Sequence, residues 1–145
     1  MDSWLYQTLP MITLAGFVAT GLLIALWPSV TNMRGAWIAP AALGLLFLGW
    51  SLFAVSRGGL LGAWPEHVRS AWGNQVWFDL LLGVGSAFAL LASRARTAGM
   101  RLVPWFIVIA CTGSIGLLAM LARFMFLAER SEPSVIAPLT GRTQG

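Results

Sequence analysis

The sequence predicts an all-α integral membrane protein. Its expected form is a four-helix up-down bundle, with a short amphipathic helix lying in the membrane surface between spans two and three. Three observations predict this. Of the 145 residues, 58% are apolar and only 10% are charged, against ~25% charged in an ordinary soluble domain. Four apolar runs each approach the ~20 residues that cross a bilayer as a helix. Tryptophans collect at the ends of those runs, where an amphipathic indole meets the headgroups. A soluble domain of this size could not cover so much apolar surface, and the mean hydropathy of +0.79 points the same way. A disordered chain, a collagen-like repeat, a coiled coil and a disulfide scaffold are excluded by the same composition.

The spans are expected at about 10–27, 36–55, 76–92 and 102–127, as one bundle over 1–127. Within lipid every backbone N–H and C=O must be paired inside the span, so helix is the only form these non-alternating runs can take. The first run lacks a basic start, since residues 1–10 carry Asp2 and no arginine. It therefore reads as a retained helix rather than a cleaved leader. Trp27 closes span one, Trp37 opens span two, Trp77 opens span three and Trp105 opens span four. Short links at 28–35 and 93–101 favour antiparallel neighbours. Small residues mark helix contacts: Ala15, Gly16, Ala19 and Gly21 in span one, Gly83, Gly85, Ser86 and Ala87 in span three, and Cys111, Thr112, Gly113, Ser114 and Gly116 in span four.

The link at 57–75 is amphipathic. Leu60, Leu61, Trp64, Val68 and Trp72 recur at three- and four-residue steps, with Glu66, Arg69 and Ser70 opposite. Pro65 suits a first helical turn. A helix lying in the interface follows. After it, Asn74 has the character of an N-cap for span three. The residues 128–145 are polar, carry Pro133 and Pro138, and are expected to be irregular.

The net charge of +4 comes from nine arginines and no lysine. They stand singly between apolar runs, which reads as membrane flanks rather than a nucleic-acid stripe. Arg34, Arg94, Arg96 and Arg101 fall in the two short links, and Arg57, Arg69, Arg130 and Arg142 in the longer segments of the other face. The positive-inside rule then makes the short-link face cytoplasmic and both termini periplasmic, in a bacterial inner membrane.

Few polar groups could carry chemistry. Asp79, a turn or so inside span three, is the candidate acid–base residue. It is also explained by an interfacial aspartate near a helix N-terminus. Glu66, His67, Arg69 and Arg123 are expected around the same mouth, forming one polar cluster that could take a lipid or other ligand. Counting 1.5 Å per residue from the link at 93–101 leaves Asp79 and Arg123 offset by about 10 Å in depth. Water or a lipid phosphate between them is at least as good a reading as a direct ion pair. Arg123 alone reads as a headgroup anchor. His67 is the only histidine and Cys111 the only cysteine. Thus no metal site, no cofactor and no intramolecular disulfide is implied, and Cys111 reads as a small apolar filler.

The second half carries Val76-Trp77-Phe78-Asp79-Leu80-Leu81-Leu82-Gly83, then Ala98-Gly99-Met100-Arg101, Trp105, and Gly113-Ser114-Ile115-Gly116-Leu117-Leu118 ahead of Arg123. This resembles small bacterial membrane families of unknown function with a Phe-Asp-Leu helix start, a Gly-Met-Arg loop and a Gly-x-x-Gly-Leu final helix. It is also similar to the neoxanthin-synthase-like membrane proteins, although Gln75-Val76-Trp77 stands where a histidine often precedes Phe-Asp-Leu in that group. The position the resemblance carries over is Asp79.

The leading expectation is a non-catalytic accessory or assembly subunit. It would pack against other membrane-protein subunits, a second copy of itself or membrane lipids, and would take no nucleic acid. The alternatives are a membrane enzyme acting on a lipid or isoprenoid, with Asp79 as acid–base or carbocation-stabilising group, and a lipid- or quinone-binding module.

Overall fold

A computed structural model of the chain describes residues 3–131, and every element among them is helical. Three helices are long and apolar enough to cross a membrane, which makes this an integral membrane protein. The chain divides into two units, Met1–Ala36 and Trp37–Gly145.

The first unit holds helix α1, Ser3–Leu26, and a short 3₁₀ turn, Pro28–Asn32. The helix starts at Ser3 rather than at the expected Pro10. Pro10 sits inside it. The Thr13 hydroxyl lies 2.9 Å from the Pro10 carbonyl oxygen and 3.1 Å from that of Leu9.

The second unit begins with α2, Ile38–Gly58. A turn follows at Gly59, whose N–H donates to the Val55 carbonyl at 2.8 Å. Helix α3, Ala63–Val68, is the short element expected in the 57–75 link. The apolar side chains predicted for its membrane face are open: Leu60, Leu61, Trp64 and Val68 are all exposed. Helix α4, Ala71–Thr97, starts earlier and ends later than predicted. Ser70 caps it, accepting a hydrogen bond from the Gly73 N–H at 3.1 Å. Asn74, expected as the cap, lies within the first turn and donates instead to the Ser70 carbonyl at 3.3 Å. Serine satisfies an orphan N–H at this position as well as asparagine does, and the glycine three residues on gives its N–H unhindered access.

The stretch expected as a single fourth span is two helices, α5 (Leu102–Thr112) and α6 (Ser114–Ser131). Gly113 separates them with φ 60° and ψ −127°, a conformation that side chains resist. The chain reverses there. Gly116 lies against the backbone of Ile109, so close that a Cβ built on it would stand 2.9 Å from the Ile109 Cα. In a continuous helix residues seven apart are separated by about 10 Å. Helix α6 therefore folds back along α5. Fully buried Met120 joins Ala95, Met100 and Ile109 in one core, with Leu102, Phe124 and Leu127 packed on it. With its 11 residues, α5 reaches about 16 Å, half of a ~30 Å hydrocarbon core.

Helix α6 is the hub of this unit, packing on α2, α4 and α5. It runs antiparallel to α2. Trp37, before α2, meets Phe126 edge-on at 5.3 Å, while Gly44 faces Leu118 near the start of α6. The unit thus contains two helices of spanning length, α2 and α4, and a helical hairpin, rather than three consecutive crossings. One consequence is a correction. The C-terminal end of α6 lies at the end of the unit that carries the α4–α5 turn, not with the 57–75 link as expected. The physical cause is the reversal at Gly113. Of the tail expected to be irregular from 128 onward, residues 128–131 are the last turn of α6 instead, because the apolar run to Ala128 carries the helix on, and 132–145 lie outside the described residues.

Candidate functional site

The predicted polar cluster divides between two ends of the second unit. At the first end, α3 docks on the start of α4 through aromatic contacts. The half-buried His67 ring lies over Trp77 with centroids 4.8 Å apart, and Trp64 meets the same indole edge-on at 6.5 Å. Gly73 allows this approach, since a Cβ there would collide with the Glu66 carbonyl oxygen. Glu66 and Arg69 form an exposed ion pair of 2.8 Å across one turn. Such a pair orders the polar face of α3 but adds little to stability. His67 is therefore a packing residue for Trp77. The sequence marked Trp77 only as an interfacial anchor and did not show its role in docking α3.

Asp79 lies two residues beyond Trp77 and is exposed on α4. It is about 12 Å along the axis from Ala71. Among the described residues it makes no hydrogen bond or ion pair. A carboxylate on an apolar helix is costly at depth and much less so near the interface, and Asp79 stands two residues from Trp77, the ring on which α3 docks.

Arg123 does not belong to this group. Met120, three residues before it, shares a core with Ala95, and Ala95 stands 16 residues beyond Asp79. At 1.5 Å per residue the two ionic groups are about 24 Å apart along α4. The offset of 10 Å assumed that α6 continued the direction of α5. The reversal places Arg123 in the opposite half of the unit, so neither an ion pair nor a bridging phosphate joins it to Asp79.

At that second end Arg123 has other company. Arg94 and Arg96 flank buried Ala95 in the last turns of α4, and Arg101 follows buried Met100. Arg130 lies over the Phe126 ring at 4.2 Å, which extends the Trp37–Phe126 pair. All five arginines are exposed. Glu129 is the one carboxylate among the described residues of this end. The first end is balanced by comparison, with Arg57 and Arg69 against Glu66 and Asp79. The signal for the basic end was present in the sequence as isolated arginines, but the fold is needed to unite Arg123 and Arg130 with the α4–α5 turn.

No protein family, no curated protein and no solved structure matches the chain. Among the described residues, no three His, Cys, Asp or Glu side chains gather as metal ligands would.

Proposed function

We infer that this chain is an accessory or assembly subunit of a bacterial inner membrane, acting by packing rather than by chemistry. The observation that carries the reading is the unequal use of its glycines. Gly44 and Gly116 bring helices together inside the second unit, against Leu118 and Ile109 respectively. Among the described residues, nothing lies within 4 Å of a Cβ added at Gly49, Gly83 or Gly85. Small residues in membrane helices permit close helix contact. On α2 and α4 they leave faces suited to a helix from another subunit or from a second copy. Purification in a mild detergent should yield a defined complex or a homo-oligomer. Recovery of a lone monomer from native-level expression would defeat the reading.

The charge distribution supports an orientation. The end with Arg94, Arg96, Arg101, Arg123 and Arg130 faces the cytoplasm under the positive-inside rule. The C-terminal end of α6 goes with it. A periplasmic N-terminus follows if α1 crosses once before α2. A C-terminal fluorescent fusion should then glow, and a periplasmic-active reporter at the same site should stay silent.

A second reading is supported by Asp79, exposed on α4 without a partner among the described residues and standing in the Phe-Asp-Leu element. In it the chain is an enzyme acting on a lipid or isoprenoid, or a module that binds a lipid or quinone. Asp79→Asn should then change the lipid or pigment profile, or empty the bound small molecule, at unchanged expression. Profiles identical to wild type remove that case.

A further inference from the structure

We propose that the arginine-rich end of the second unit is a docking surface for the headgroups of anionic phospholipids. This rests on the membrane placement inferred above and adds to it a lipid class and the residues that select it.

The core fixes the arrangement. Ala95, Met100 and Met120 are one packed cluster, with Phe124 and Leu127 against it. Each arginine is tied to that cluster by chain neighbourhood. Arg94 and Arg96 adjoin Ala95, and Arg101 adjoins Met100. Arg123 adjoins Phe124, and Arg130 follows Leu127 by three residues. Three chain segments therefore bring five guanidinium groups to one rim, opposed among the described residues by Glu129 alone. The depth suits headgroups. Phe126 meets Trp37, and Trp105 lies one turn into α5, so an aromatic belt marks the interface at this level. Arg123 stands one turn deeper than Phe126, about 4.5 Å along the axis, and a guanidinium snorkels that distance to reach phosphate. The exposure of Arg123 within the apolar run 115–128 of α6, with no carboxylate partner among the described residues, is explained by a lipid phosphate.

Guanidinium groups bind phosphate through two parallel hydrogen bonds, and a basic end on the cytoplasmic side meets the leaflet richest in anionic lipid. Zwitterionic phosphatidylcholine presents the same phosphate together with a compensating cation, so selection should follow net lipid charge. An acidic segment of a partner protein is the competing occupant. Trp37, Trp105 and Phe126 favour lipid, because they belong at a headgroup boundary.

The test uses the full chain purified in detergent and exposed to an equimolar mixture of phosphatidylglycerol and phosphatidylcholine. Retained lipid is read by native mass spectrometry. Wild type should retain phosphatidylglycerol about fivefold over phosphatidylcholine, the effect of roughly one well-placed basic residue at an anionic surface. R94Q/R101Q/R123Q should bring the ratio close to one. R57Q/R69Q, at the other end, should keep it. Addition of inorganic phosphate should leave the retained lipid in place, since the acyl chains contribute to its binding. The proposal is overturned by equal retention of the two lipids in wild type, or by equal loss in the two variants. Displacement of the lipid by phosphate alone, or loss of a co-purifying acidic protein without change in the lipid ratio, also overturns it. These outcomes are independent of the subunit reading, which is decided by whether a protein complex is recovered.

Discussion

The hairpin α5–α6 can be tested by the sign of a stability change. In a continuous membrane helix, Gly113→Ala, Gly116→Ala and Gly83→Ala should all stabilise, each by about 0.5–1 kcal/mol, because alanine restricts the unfolded chain and favours helix. The folded-back geometry separates them. At Gly116 the new Cβ would stand 2.9 Å from the Ile109 Cα and 3.0 Å from its nitrogen, while carbon contacts are comfortable at about 3.5–4.0 Å. Neither atom can rotate away, so α5 and α6 must part by about 0.6–1 Å. Parting loosens Met120 and Ile109, and overpacking of this kind costs about 1–3 kcal/mol, more than the helix propensity returns. At Gly113, φ of 60° with ψ of −127° imposes a strain of about 1–3 kcal/mol on any side chain. At Gly83 nothing among the described residues lies within 4 Å of an added Cβ, so only the stabilising effect remains. The measurement is folded fraction by circular dichroism as SDS is titrated into mixed micelles. Gly116→Ala and Gly113→Ala should lower the midpoint and Gly83→Ala should raise it. If all three raise it, residues 102–127 form one span and the reversal is wrong.

Other outcomes follow from the same geometry. Ser70→Ala removes the cap of α4 and should cost about 1 kcal/mol in the same titration; a larger loss for Asn74→Ala would restore Asn74 as the cap. Trp77→Ala removes the ring that Trp64 and His67 pack against, so amide exchange at 63–68 should quicken while that of α6 stays unchanged. Equal quickening in both helices would mean that Trp77 supports the whole unit rather than α3. Cysteines introduced as Ser93→Cys and Ser131→Cys in a Cys111→Ala background should react with an impermeant maleimide from the same side of sealed vesicles. Reaction from opposite sides would contradict the position of the α6 C-terminus.

The spanning helices α1, α2 and α4 were legible because hydropathy over about 20 residues depends only on composition. Helix α3 was legible only in part from helical spacing: of the five apolar residues read as one face, Trp64 and Val68 lie in it, Leu60 and Leu61 lie in the turn before it, and Trp72 belongs to α4. The direction of α6 was not, because an apolar run carries no sign for which way the chain travels. Cys111, Thr112, Gly113, Ser114 and Gly116 read as a small-residue packing face, and that reading was partly right: Gly116 does meet another helix backbone. The helix it meets is α5, immediately before it. A weaker signal was available. Arg123, Glu129 and Arg130 make 114–131 more charged than the spans before it, and Thr112-Gly113-Ser114 is a plausible breaking point within an otherwise apolar run. The expected meeting of Asp79 with Arg123 failed for this one reason, since axial counting from the link at 93–101 presupposed a straight path.

The reversal also changes what the arginines mean. On a straight fourth span, Arg123 and Arg130 would join Arg57 and Arg69, and the two faces would carry nearly equal positive charge. Folded back, they join Arg94, Arg96 and Arg101, and the larger charge difference supports the proposed orientation by the positive-inside rule. A glycine that admits φ near 60° thereby links local backbone geometry to membrane orientation. Replacing Gly113 or Gly116 should consequently affect more than stability. A variant that straightens the hairpin would carry two arginines toward the opposite surface against their preference, and the bilayer would resist it. Variants at these glycines should therefore lose folded protein rather than accumulate in the inverted topology, and a C-terminal reporter should dim without its signal appearing on the other side.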